Sequence, residues 1–324
     1  MTRSAALPAL ILAGAVSLIG SGIALAQQPL RVVTTINPIH ALVAGVMEGV
    51  AKPELILRGA ASPYTYVMRS SEARTLNRAD VVFFVGEGLE SFLIRSLETL
   101  PPDSRVVELI AIDGLTLLPP RKGAAWEDEE LVRQAKTADN NSAGGPGTED
   151  PDPDPHIWLD PANAQVMVAA IADELADADP EREPIYHRNA EALVRRLQAL
   201  DRELNEATQP VRNLPFVVFH DAYQYLEKRY GLTAVGAVTA RPDQRPSSRR
   251  IKDLHDKVMQ MGAICVFGEP QATPAPVRGI IEGTRARTAV LDALGANVPE
   301  TAEAYFSIMR GLVATLRGCL LPKG

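Results

Sequence analysis

Short apolar, β-branched runs alternate with segments of helical periodicity along nearly the whole chain, the pattern of βα units that build parallel sheets. In the first half, the runs at 31–35, 54–57 and 81–85 read as strands, with 106–109 as a short fourth. Segments 38–49, 70–77 and 89–97 carry helical patterns between them, with Ser70 as the expected cap of the second. The second half repeats the alternation, with strands at 216–219, 232–235, 263–267 and 288–291 and helices at 222–230, 248–261, 274–284 and 302–319. A helix at 161–175 and a longer one at 184–207 lie between the halves, and Leu193, Leu197, Leu200 and Leu204 give the longer one an apolar face. At that length it spans about 35 Å, enough to cross between two lobes.

The predicted fold is therefore α/β, with two lobes that each hold a parallel sheet flanked by helices, joined by one long rigid helix. The expected boundaries are 27–182 for the N-terminal lobe, 183–209 for the linking helix and 210–324 for the C-terminal lobe. The pattern fails over 121–154, where an Asn- and Gly-rich stretch and nine acidic residues between Glu127 and Asp154 cannot bury a core. A mobile acidic loop inside the first lobe is expected there.

Composition adds a compartment. Met1-Thr2-Arg3 is followed by an apolar run and then by Ala24-Leu25-Ala26, an A-x-A cleavage site, so 1–26 read as a signal peptide. No later segment could span a bilayer, and no cysteine stands near the cleavage point to carry a lipid, which predicts a periplasmic protein without membrane insertion. Loss of Arg3 leaves 32 basic against 40 acidic side chains, a net charge near −8 in place of −7. That balance disfavours nucleic acid and anionic membrane surfaces as partners. The two cysteines, Cys265 and Cys319, lie on an expected strand and in the last helix. An export signal and an even count predict a disulfide between them, the alternative being two buried thiols.

Three positions carry candidate chemistry. His156 stands between a proline-stiffened acidic run and a helix start, in Asp154-Pro155-His156-Ile157-Trp158-Leu159-Asp160-Pro161. The strand at 216–219 ends on His220 and that at 288–291 ends on Asp292. Ligand sites in α/β sheets lie beyond the carboxyl ends of strands, and two imidazoles with a carboxylate suit zinc or a similar ion held in a cleft. Asp221 reads as an N-cap, and Glu269 as either a partner that orients a histidine or part of a turn. His40, His187 and His255 read as structural.

The motifs Val33-Thr34-Thr35-Ile36-Asn37-Pro38, Ala61-Ser62-Pro63, the His156 segment, Phe219-His220-Asp221-Ala222-Tyr223, Phe267-Gly268-Glu269-Pro270-Gln271 and Leu291-Asp292-Ala293-Leu294-Gly295 run in order along the chain. Together they resemble the metal-binding subgroup of periplasmic substrate-binding proteins of ABC importers, and most of all its zinc branch. The resemblance implies two lobes on a rigid helix, metal captured in the cleft and handed to a membrane permease, and no catalysis; a monomer is expected. Position by position, it implies that His156 and His220 are the second and third ligands, that Asp292 is a carboxylate ligand, and that Cys265 and Cys319 pair. The family's first ligand is a histidine after Ser-Pro, where this chain has Tyr64, and the acidic loop lacks the histidines common in zinc members. The expected cargo is Zn2+, with Mn2+ or iron as alternatives, and Tyr64 either ligates or stands beside a bound water. A metallohydrolase would use similar ligands, but the chain has no H-E-x-x-H, G-x-S-x-G or P-loop motif. An adhesin on the same scaffold with a degenerate metal site is the remaining alternative.

Overall fold

A computed structural model describes residues 30–121 and 152–322. The expected signal peptide and all but the ends of the expected acidic loop lie outside the described residues. In chain order the N-terminal half contains β1 (Val32–Thr34), α1 (Asn37–Val46), β2 (Glu54–Leu55), α2 (Ser70–Asn77), β3 (Val81–Phe84), α3 (Glu87–Glu90), α4 (Ile94–Leu97) and β4 (Arg105–Glu108). Two longer helices follow, α5 (Pro161–Ala178) and α6 (Glu183–Thr208). The C-terminal half contains β5 (Phe216–His220), α7 (Gln224–Tyr230), β6 (Ala234–Thr239), α8 (Ser248–Met261), β7 (Cys265–Gly268), α9 (Ala275–Ile281), β8 (Arg287–Val290) and α10 (Ala304–Leu320).

The strands form two four-stranded sheets, ordered β2-β1-β3-β4 and β6-β5-β7-β8, and every pairing is parallel. Central strands β1, β3 and β5 are buried along their whole length, as continuous apolar runs covered by helices on both faces must be. A single apolar cluster runs from Val32 and Phe83 of the first sheet through Leu193, Leu197, Leu200 and Leu204 of α6 to Phe216 and Phe267 of the second. The 26 residues of α6 are about 39 Å long, and their apolar face packs into the core that both halves share.

Three local expectations change. Arg69, not Ser70, is the N-cap of α2, and the Glu72 carboxylate accepts from the Arg69 amide at 2.7 Å. The expected helix at 89–97 is two single turns, because the buried Glu90 carboxylate accepts from the Val85 and Gly86 amides at 2.8 and 3.0 Å and folds the chain back at the end of β3. Asp221 caps nothing: Tyr223 occupies the N-cap of α7, and Asp221 pairs with Arg121 at 3.2 Å. Cys265 on β7 and Cys319 on α10 form a disulfide with Cα atoms 6.2 Å apart, fastening the last helix to the second sheet. Among the described residues no helix is long and apolar enough to cross a membrane.

Candidate metal centre

β5 is a buried, β-branched and aromatic run, and the residue at its carboxyl end reaches a cavity lined by residues of both halves of the chain. That residue is His220, 7% exposed. His156 reaches the same place by another route. It precedes a 3-10 turn, Ile157–Leu159, after which Asp160 caps α5 by accepting from the Ala162 amide at 2.8 Å, with Pro161 as the first helical residue. The turn is gripped from the C-terminal half, where the Trp158 indole donates to the Ala293 carbonyl at 3.0 Å and Tyr305 donates to the Trp158 carbonyl at 2.8 Å. His156 is thereby held at 4% exposure, with its Nε2 3.2 Å from that of His220.

Both rings are oriented by carboxylates. Asp154 Oδ1 lies 2.7 Å from His156 Nδ1, and the Glu269 oxygens lie 2.7 and 2.6 Å from His220 Nδ1. Each carboxylate accepts a hydrogen bond from an Nδ1–H, so the Nε2 lone pairs face one another. Two lone pairs at that distance repel unless something positive or proton-donating lies between them. Two donors about 2.0–2.1 Å from a tetrahedral zinc are about 3.3 Å apart, which is nearly the observed spacing. Tyr64 Oη lies at the same 3.2 Å from His156 Nε2 and meets its lone pair as a hydrogen-bond donor.

The supporting residues are themselves bonded. Asp154 Oδ2 accepts from Gln224 of α7 at 2.7 Å, and its carbonyl accepts from Tyr225 at 2.8 Å. Burial alone would push the Asp154 carboxyl up, but His156, through its ring and its amide, and the Gln224 side chain outweigh it and hold it below the usual range. Tyr223 donates to Glu269 at 3.2 Å. The Tyr64 phenol is pushed well above its usual value, first by burial and then by the Asp154 charge, against the Arg241 guanidinium 4.9 Å over its ring. It keeps its proton at neutral pH.

Asp292 is the predicted ligand that the structure does not bring to the imidazoles. Its two oxygens accept from the Gly295 and Ala296 amides at 2.9 and 2.7 Å, closing the turn after β8, and its neighbours Ala293 and Leu294 line the cavity in its place. Gly295 fits that turn because its φ is +69° and a Cβ there would stand 2.6 Å from Ile308. Among the described residues no three His, Cys, Asp or Glu side chains are gathered as a ligand set. His40 is buried in α1 beside Thr34, His187 is a surface residue of α6, and His255 Nδ1 meets the Ile280 carbonyl at 3.0 Å, so all three stand apart from the centre. The Asp154 and Gln224 roles were not visible in the sequence, since Asp154 reads there as one more charge in an acidic run.

Comparison with known proteins gives one consistent result. Residues 32–319 match the family model described as zinc-uptake complex component A, periplasmic. The high-affinity zinc uptake system protein ZnuA of Brucella abortus is 38% identical over 317 residues, covering 92% of this chain and 94% of that protein. A crystal structure of ZnuA superposes with a TM-score of 0.74 at 22% identity, covering 90% of this chain and all of that one. The laminin-binding protein Lmb of Streptococcus agalactiae, described as bifunctional with adhesin and metal-transporting activity, superposes with a TM-score of 0.69 at 26% identity, covering 89% of this chain and all of that one.

Proposed function

Because the chain belongs to the family of periplasmic zinc-uptake components, we propose that it captures Zn2+ in the periplasm and delivers it to the membrane permease of an ABC importer. The observation that supports this most is the facing pair of Nε2 atoms 3.2 Å apart, one from each half of the molecule, each backed by a carboxylate. His156 and His220 are the protein's nitrogen ligands. Tyr64 stands beside the ion as a neutral phenol, and Asp292 reaches it only by giving up its two amide bonds. Imidazole donors favour zinc over manganese, which prefers oxygen. Export by a cleaved signal peptide at 1–26, lobes at 27–182 and 210–324 on the linking helix 183–209, and action as a monomer complete the reading.

Elemental analysis of the protein purified from the periplasm, followed by competition titration with zinc, manganese and iron, tests it. One zinc per chain with zinc preferred is expected, and stoichiometric manganese or iron with weaker zinc binding would overturn the assignment of cargo. Binding needs both Nε2 atoms free of protons, so zinc and protons compete for the same lone pairs and zinc affinity falls as the solution is acidified. A flat profile contradicts histidine ligation.

A further inference from the structure

A positively charged side chain stands beside the cavity that takes the cation. Arg241 lies in the loop between β6, which ends at Thr239, and α8, which Ser247 caps. Its guanidinium carbon is 4.9 Å from the centre of the Tyr64 ring, and the next residue, Pro242, lines the cavity with Tyr64, His156 and His220. The contact joins the two halves, since Tyr64 follows β2 and Arg241 follows β6. A guanidinium over the face of a phenol is held there by the quadrupole of the ring. Its Nε also meets Asp243 of the same loop at 3.3 Å, and 47% of the side chain remains open to water.

The Tyr64 ring centre is 6.4 Å from that of His156 and 6.2 Å from that of His220. The guanidinium therefore stands within about 11 Å of both imidazoles. Arginine cannot shed its charge at any working pH. In the empty cleft that charge shares the surroundings of the Tyr64 phenol with the Asp154 and Glu269 carboxylates, an arrangement of opposite signs. A divalent cation on the imidazoles takes over the compensation of those carboxylates and repels the guanidinium. A unit charge about 11 Å from a divalent ion shifts its binding about threefold even at the dielectric constant of bulk water, and by more near a protein surface. Either the ion bears that repulsion or the guanidinium leaves the ring and its contact is lost. Both outcomes oppose binding.

We infer that Arg241 works against the bound ion: seated on Tyr64 in the empty cleft, it lowers the affinity of the two imidazoles for a cation and speeds the ion's release. The inference rests on the metal-capture reading. It makes Arg241 a residue that sets affinity and release without touching the metal, and it gives the cleft a means of surrendering an ion held by strong donors.

Competition titration with zinc and stopped-flow release of zinc into a fluorescent chelator, at low and high potassium nitrate, test it. At low salt Arg241→Gln should bind zinc at least about threefold more tightly than the wild type and release it more slowly. Arg241→Lys, which keeps the charge, should stay within about twofold of the wild type. The gain in Arg241→Gln should fade between about 0.01 M and 1 M salt, as the screening length shrinks from about 30 Å to about 3 Å and passes the reach of the guanidinium. Equal melting temperatures of the metal-free proteins check the fold, and Arg241→Met, a second neutral side chain, carries the same test if Arg241→Gln is unstable. Weaker binding in the neutral variants would show that the guanidinium seals the cleft over the ion, and that result, an unchanged affinity, or a gain indifferent to salt overturns this inference while leaving metal capture intact. A wild type that binds no zinc overturns the metal-capture reading as well.

Discussion

His156 and His220 owe their geometry to residues that never meet the ion. Glu269 spans 49 positions to reach His220, and Asp154 reaches His156 across two. Carboxylates placed in this way fix ring orientation and raise ligand basicity, and their loss commonly costs ten- to a hundredfold in metal affinity. Glu269→Ala should therefore weaken zinc binding by about ten- to a hundredfold in a competition titration, with the fold retained. Gln224→Leu removes one donor from Asp154 and should cost less, about tenfold or below. Tyr64→Phe should change zinc affinity by less than about tenfold, while Tyr64→His should tighten it by adding a third imidazole; abolition of binding in Tyr64→Phe would show that the phenol ligates after all. The position of His220 could be read from the sequence because an apolar strand ending on a histidine has few other uses. The work of Asp154 could not, because it depends on a contact with α7 some 70 residues away.

Strand ends are where the elements meet the site, and buried charge holds those ends. The Glu90 carboxyl ties Thr35 after β1 to Val85 and Gly86 after β3, and burial, opposed by those hydrogen bonds, raises it from 4.5 to about 7. A carboxyl raised in the folded state contributes stability that is complete below about 4.5 and is lost as pH rises through about 7. Glu90→Gln keeps an acceptor for the two amides and cannot ionise, so its melting temperature should gain on that of the wild type between about pH 6 and pH 8. A parallel course of the two curves would show that Glu90 does not titrate in that window. Reduction of the Cys265–Cys319 bond opens a closure of 54 residues, worth about 4 kcal/mol on a loop-entropy account, so reduction should lower the melting temperature. The alternation of apolar runs and helical segments revealed both sheets, since continuous runs of valine and phenylalanine suit only buried parallel strands. The break at 89–97 escaped because Glu90 looks in sequence like an ordinary surface residue of a helix.

At the scale of the molecule, the His156 segment belongs to one half by sequence and to the other by its bonds. Gln224, Tyr225, Ala293 and Tyr305 all hold it from the C-terminal side, and Arg121 crosses to Glu227 at 2.7 Å. The prolines at 155 and 161 flank His156, but the orientation of its ring depends on Asp154, the last acidic residue of the expected loop. Deletion of 123–149 spares Asp154, Leu118, whose carbonyl accepts from the Asp154 amide at 2.8 Å, and every partner named here, so it should leave tight zinc binding intact, and its loss in a folded variant would place ligands within the deleted stretch. Two lobes and a crossing helix could be inferred from the duplicated alternation and the length of 184–207. That Asp292 would spend its oxygens on a turn could not, because a strand-end aspartate has the same sequence pattern in either role. The most direct test of joint capture by the two imidazoles is zinc-edge X-ray absorption on the loaded protein. Two imidazole nitrogens at about 2.0–2.1 Å with oxygen donors completing the shell are the predicted result, and a shell of oxygen alone, or with a single imidazole, would contradict it.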